Sequence, residues 1–303
     1  MKKTKFKKMS FSFIMFSLVS LYASFEFSGV KNVGCRVASL GSAYTAVAED
    51  IEGAYLNPAG LTQNKVYNIV SLMYSELFNL PELSYSYLGF ATPDNKGKGC
   101  FGLNISILGL SSFYSERQFI LSYARKIIKQ KSSIFSLGVS LKLLQRVYED
   151  KVDYTSLIFD QNGNPVLPQE KIFVDVNYGI DIGGLYSVKI EENLLRIGGS
   201  FRTNFVDETN INNIRVGLSY NLAKKTLISF DYDISENSYS LGAEYSLVYR
   251  LLDARAGYEQ TYSGSNISLG IGLILKTWRF DFAYTLSRTG LPDTYKIGLL
   301  AKF

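Results

Sequence analysis

From about residue 66 to the end of the chain, large apolar residues occupy every second position. Ile214, Val216, Leu218, Tyr220 and Leu222 alternate with Arg215, Gly217, Ser219 and Asn221. Tyr239, Leu241, Ala243, Tyr245, Leu247 and Tyr249 repeat the pattern around Ser240, Gly242, Glu244 and Ser246. Trp278, Phe280, Phe282, Tyr284 and Leu286 repeat it around Arg279, Asp281, Ala283, Thr285 and Ser287. A period of two sends successive side chains to opposite faces of a strand, so each segment has one apolar and one polar face. A soluble sandwich would share the alternation but hide its apolar faces in one core. Here the apolar members are large throughout, and their polar neighbours are mostly Gly, Ser, Asn or charged. That combination predicts an all-β fold, a transmembrane antiparallel β-barrel of about 14 strands with lipid outside and a polar lumen.

The fourteen segments start near Val66, Glu82, Gly99, Ser115, Ser133, Ile172, Leu194, Asn213, Thr226, Ser238, Asp253, Asn266, Trp278 and Thr294. Each is about 9 to 14 residues, long enough to cross a bilayer when tilted. Connections such as Thr92–Lys98, Lys189–Asn193, Ala223–Lys225 and Lys276–Thr277 are short and mostly Lys-bearing. The opposite set holds Val147–Lys171, Thr203–Asn212 and Ser287–Asp293. Short turns on one side and longer loops on the other are the asymmetry of an outer-membrane barrel with both termini in the periplasm. Within Val147–Lys171, Phe159 to Val166 reads as a hairpin tip around Asn162-Gly163, so strands five and six should continue above the membrane as a ribbon.

The two ends of the chain agree with export. Lys2, Lys3, Lys5, Lys7 and Lys8 precede an uncharged run from Met9 to Phe25. A basic stretch, a short apolar stretch and small residues after it describe a cleaved signal peptide over residues 1–24, a membrane anchor being the alternative. Removing its five lysines from the 32 Lys+Arg leaves 27, equal to the 27 Asp+Glu. The basic balance therefore belongs to the export signal and points to no nucleic acid. At the other end, Tyr295, Ile297, Leu299, Ala301 and Phe303 alternate in a last strand ending in Phe303. That ending resembles the signal read by the outer-membrane barrel assembly machinery. The expected location is the bacterial outer membrane, with outer-membrane lipid and that machinery as partners.

The chain contains no histidine. Ser-His and Cys-His catalysis, imidazole proton shuttles and His-based metal sites are thereby excluded. Asp94-Asn95-Lys96-Gly97-Lys98-Gly99 lacks the Gly-Lys-Ser/Thr of a phosphate loop. The chain reads as a non-enzyme with no catalytic residue, no metal and no cofactor. Cys35 and Cys100, the only cysteines, could form one disulfide or stand as two free thiols.

Residues 25–65 do not alternate. They run through Gly34-Cys35-Arg36, Leu40-Gly41, the Ala-rich stretch Ala43 to Ala48, Asp50, and Asn57-Pro58-Ala59-Gly60-Leu61. Small residues permit close packing against a wall, and Asn-Pro followed by Ala-Gly reads as a turn. This segment resembles the N-terminal hatch of the long-chain fatty-acid transporter (FadL) superfamily, and most closely the branch typified by PorV and PorQ. The resemblance implies a hatch over residues 25–65 inside a barrel over residues 66–303, with Arg36, Asp50, Asn57, Pro58, Ala59 and Gly60 as its motif. It also implies passage of hydrophobic, fatty-acid-like molecules or, as the alternative, a non-transporting barrel serving as a secretion shuttle, assembly partner or structural protein. Short outer loops leave no room for the long ligand-capture helices of typical fatty-acid transporters.

The polar faces place Asp175, Asp181, Arg196, Arg202, Arg215, Asp231, Asp233, Glu244, Arg279 and Asp281 in the lumen. Both signs are present, so no single-sign ion filter is evident. Arg36, Glu49, Asp50 and Glu52 of the hatch should pair with lumen charges of opposite sign, because an unpaired charge in a confined site is costly. A hydrophobic small molecule or secreted proteins complete the expected partners.

Overall fold

The computed structural model describes residues 33–303 except 65, 95–97, 112, 151–157, 160–164, 167–170, 207–208, 250 and 289. The signal peptide and the tip of the 159–166 hairpin lie outside the described residues. Fourteen strands close into a barrel: β1 (Ile69–Glu76), β2 (Leu83–Pro93), β3 (Gly99–Leu110), β4 (Tyr114–Lys129), β5 (Ser133–Asp150), β6 (Lys171–Ile190) and β7 (Asn193–Val206), followed by β8 (Thr209–Leu222), β9 (Thr226–Asp233), β10 (Ser238–Val248), β11 (Leu252–Thr261), β12 (Gly264–Leu275), β13 (Trp278–Ser287) and β14 (Thr294–Lys302). Every neighbour is antiparallel and sequential, and β14 closes on β1 from Ile69 opposite Lys302 to Glu76 opposite Tyr295. Closure removes the unpaired edges that an open sheet would expose.

The alternation works as a sorting rule. On β8, Arg215, Gly217 and Ser219 are buried inside while Ile214, Val216 and Leu218 lie exposed outside. The exposed side chains around the barrel are Leu, Ile, Val, Phe, Tyr and Trp, which only a bilayer can cover without penalty. The ladders shift register at two places, between Lys126 and Ile128 on β4 and between Ser246 and Val248 on β10, both near the end that carries the C-terminus.

Three strand starts differ from the sequence expectation by more than one residue, β12 by beginning at Gly264, two residues before Asn266. β1 starts at Ile69 because Val66 and Tyr67 run outside the ladder. β8 starts at Thr209, paired with Val206, so Thr203–Asn212 is mostly ladder and not a loop. Thr209-Asn210-Ile211-Asn212-Asn213 is too polar to alternate, which conceals a strand from a pattern built on lipid contact. β5 and β6 run on to an Asp150–Lys171 pair, and Ile158–Phe159 pairs separately with Pro165–Val166.

Residues 33–63 occupy the barrel interior. They form a short helix, α1 (Cys35–Ser39), and two 3-10 turns, Glu52–Tyr55 and Pro58–Gln63. Asn57 starts the last turn by accepting the Ala59 amide at 3.1 Å, and Pro58 at the first helical position loses no needed donor. The segment comes close to the wall because the wall lacks side chains there. Ten strands present an inward glycine to it, including Gly138 against Pro58, Gly198 against Thr45, Gly257 against Gly41 and Gly298 against Cys35. A methyl group at Gly198 would sit 2.5 Å from the Thr45 carbonyl oxygen. Gly41 also needs its φ of 60°, a backbone region natural to glycine. The interior is filled like a core: Leu40, Tyr44 and Leu56 of the segment cluster with Tyr85, Ile120 and Leu144 of the wall, and Ile51 and Leu61 with Ile69, Ala91 and Leu300.

Candidate functional site

Six charges of the interior form one closed circuit near the end carrying the C-terminus. Arg36 of the segment donates through Nε and Nη2 to the two oxygens of Glu244 on β10, both at 2.7 Å. Glu244 also accepts from Arg255 Nε on β11 at 2.7 Å. Arg255 reaches Asp281 on β13 at 2.6 Å, and Arg279, two residues away, meets the other Asp281 oxygen at 2.5 Å. Arg279 then returns to Asp50 of the segment at 3.1 Å, and Asp50 lies 3.9 Å from Arg36. Three guanidinium groups alternate with three carboxylates, so each buried charge has neighbours of opposite sign. Glu49 joins this ring to a further strand, bridging Arg36 at 3.0 Å and Arg196 on β7 at 2.6 Å.

All ten wall charges named from sequence face inward. Seven of them, on the four strands β6 to β9, lie outside the ring. Arg215 stands 3.8 Å from Asp231 and 3.9 Å from Asp233, and Asp231 caps the segment by accepting the Tyr44 and Thr45 amides at 3.0 and 2.9 Å. Asp181 pairs with Lys142 at 2.5 Å. Arg202 lies over the Tyr55 ring at 5.6 Å, and Asp175 accepts from Asn177 at 3.4 Å. Of the motif residues, Asn57 Nδ2 donates to the Thr45 carbonyl at 2.8 Å and to the Gly184 carbonyl on β6 at 3.1 Å. Pro58 and Ala59 lie against Gly138 and Gly183, and Gly60 against Ala48.

Glu52 departs from the expected pairing. Its carboxyl accepts from Ser71 at 2.7 Å, and its other oxygen has no hydrogen-bond partner. Among the described residues no ion pair satisfies it; burial and then the nearby Asp50 charge push its pKa up to about 8, so it holds a proton at neutral pH. Cys35 and Cys100 are both free. Burial, then Glu52, pushes the Cys35 thiol well above its ordinary range. The sequence reading omitted Arg255 and Lys142 from the wall charges. Both occupy the inward parity of their strands, Arg255 between Asp253 and Gly257 and Lys142 between Ser140 and Leu144, so strict parity would have found them.

Two cavities adjoin this interior. A polar one of about 260 Å³ opens over the ring and is bordered by Arg36, Asp50, Glu244, Lys276, Trp278 and Lys302. An apolar one of about 590 Å³ lies on the outer wall where β14, β1 and β2 meet. Leu72, Tyr74, Leu88, Ile105, Phe280 and Ile297 line it, and Ser86 leaves its middle open. Gly298 forms part of its floor, with Cys35 directly behind on the lumen side.

This geometry can be set beside known proteins. No model of a known family and no curated protein matches the chain. Solved structures do. The CymD monoaromatic hydrocarbon channel is 15% identical, with a TM-score of 0.56 over 90% of this chain and 98% of that one. The P. putida toluene transporter TodX and a Pseudomonas aeruginosa FadL homologue are each 11% identical, with TM-scores of 0.54 over 90% of this chain and 97% of theirs. The fold is that of FadL-type barrels. At these identities the likeness is one of architecture, and neither substrate nor branch follows from it.

Proposed function

We propose that the protein is a bacterial outer-membrane barrel that passes hydrophobic small molecules, fatty-acid-like in character, and that its N-terminal segment acts as a hatch. The observation that carries this reading is the 590 Å³ apolar groove, whose floor at Gly298 is backed directly by the segment. Its volume falls within the ordinary range for small-molecule sites, and its lining suits an acyl chain or an aromatic ring. CymD and TodX, which share the architecture, are hydrocarbon channels, a cargo of the same chemical class. Passage would require the Cys35 turn to move away from Gly298.

That requirement gives the test. A β-carbon at residue 298 would lie 3.6 Å from Cys35 Cβ, within disulfide range. Gly298→Cys in a Cys100→Ser background should therefore lock the segment on oxidation. Uptake of a long-chain fatty acid or of toluene by proteoliposomes should fall at least tenfold when locked and recover with reductant. Uptake by the reduced protein no faster than by protein-free vesicles would end the transport reading.

One observation favours the alternative of a PorV-like barrel that binds proteins without transporting. The extended β5–β6 ribbon leaves Ile172, Phe173 and Val174 exposed by 64, 58 and 55%. Consecutive apolar residues on both faces of a ribbon suit a protein partner. Stoichiometric co-purification lost in Phe173→Asp would support that reading, and its absence would oppose it.

A further inference from the structure

The polar cavity over the ring is bordered by more positive than negative charge. Arg36, Arg255, Lys276, Arg279 and Lys302 stand against Glu49, Asp50, Glu244 and Asp253. The three guanidinium groups are each held by carboxylates of the ring. Lys276 and Lys302 are not: among the described residues neither has a carboxylate within 4.0 Å. Five cations against four carboxylates leave one positive charge over, and it belongs to these two ammonium groups. Both are exposed at the edge of the cavity, where a ligand can reach them.

The sequence brings the two lysines together. Lys302 follows Lys296, Gly298 and Leu300 on the inward parity of β14, and its amide donates to the Thr277 carbonyl at 2.8 Å. Lys276 precedes Thr277 in the two-residue turn that joins β12 to β13. The wall ends at this turn, since Leu275 already pairs with Trp278, and Trp278 with Ala301. Trp278 borders the cavity, and with the flanking Phe303 and Tyr67 it lies exposed. Exposed aromatic residues at the ends of barrel strands mark the level of the lipid headgroups. The cavity therefore lies at headgroup depth, behind a rim only one short turn high.

Basic pockets at that depth suit anionic headgroups. A phosphodiester carries a single negative charge and matches the surplus, whereas a phosphate monoester carries about 1.5 to 2 at neutral pH and would exceed it. A volume of about 260 Å³ is below the range for a whole small-molecule ligand and suits a headgroup alone. We infer that the cavity binds the phosphodiester of a phospholipid from the leaflet around this end of the barrel, with Lys276 and Lys302 as its cationic partners and the acyl chains left in the bilayer beside Trp278. Arg36, Asp50 and Arg279 also border the cavity, so the headgroup would lie over the ring that holds residues 33–63. The site does not depend on passage of any cargo.

Trp278 is the single tryptophan of the chain, so its fluorescence reports on this rim alone. The full-length protein in dodecyl maltoside is titrated at constant ionic strength with dioleoylphosphatidylglycerol, with dioleoylglycerol, which lacks the phosphate, and with sodium phosphate. Phosphatidylglycerol should change the Trp278 emission saturably, and the other two should not. Lys276→Gln with Lys302→Gln should raise the half-saturating lipid fraction at least fivefold, and Lys276→Arg with Lys302→Arg should keep it near wild type. Heat-modifiable mobility reports whether each pair folds, and the comparison of the three ligands needs no variant. A response to dioleoylglycerol equal to that of phosphatidylglycerol would mean ordinary wetting of the wall and would overturn the inference, as would an unchanged half-saturation in the Gln pair. Saturation by sodium phosphate alone would assign the site to a free anion and overturn the lipid.

Discussion

Replacing Glu244 by Gln tests the ring at its most connected carboxylate. The amide keeps the size of the side chain but removes the charge that sits between Arg36 and Arg255, whose side chains are 8% and 1% exposed. Three hydrogen bonds of 2.7 Å each lose their ionic character, and an amide N–H₂ is brought against a guanidinium. Removing one partner of a buried ion pair costs about 3–5 kcal/mol. Arg36 keeps Glu49 and Arg255 keeps Asp281, so the lower end applies, about 3 kcal/mol. The loss should appear as a lower urea midpoint in detergent and as faster proteolysis of residues 33–63. Arg36→Met with Glu244→Met should be less destabilised than the sum of the two single changes, because no charge is left alone. A Glu244→Gln barrel within about 1 kcal/mol of wild type, with its segment still protected, would refute the ring as the anchor of the segment.

Three further outcomes follow from single positions. Gly257→Val places a side chain on the Gly41 amide, so the barrel should still form by heat-modifiable mobility while the segment becomes protease-sensitive. Asn57→Ala removes two bonds to carbonyls and one to the Ala59 amide, at a cost of about 1–3 kcal/mol for the groups left buried, and should raise leakage of small solutes in planar-bilayer recordings. Glu52 in the segment, outside the spanning strands, keeps its proton in the folded protein up to about pH 8, whereas its ordinary value is 4.5. The unfolded chain therefore binds fewer protons between those values, so stability should fall as pH rises through that window and level off above it. Glu52→Gln should abolish this slope, as read from urea midpoints at pH 5, 7 and 9.

The barrel was legible because lipid contact writes itself into every second residue. Eleven of the fourteen strand starts fall within one residue of their expected places. The pattern failed where the strand leaves the apolar band, as at Thr209–Asn213, since a ladder in water needs no apolar face. Inward parity gave the lumen charges, but their partners depend on how strands stagger around a closed barrel, which local sequence does not encode. Arg36 and Glu244 are 208 residues apart yet form a two-pronged link of 2.7 Å between segment and wall. Glu52 shows the limit from the other side. A rule that pairs every buried charge misses a carboxyl that burial keeps neutral. The inward glycines were visible as polar-face members, but only the folded interior explains them as places where the segment needs the space of a missing side chain.

The central claim is that residues 33–63 close the lumen of this barrel. Planar-bilayer conductance of wild type and of a deletion of residues 29–60 tests it most directly. Wild type should show little or no ionic conductance, and the deletion should open large, stable steps through an emptied lumen. Equal conductance in the two proteins, whether both closed or both open, would contradict the account.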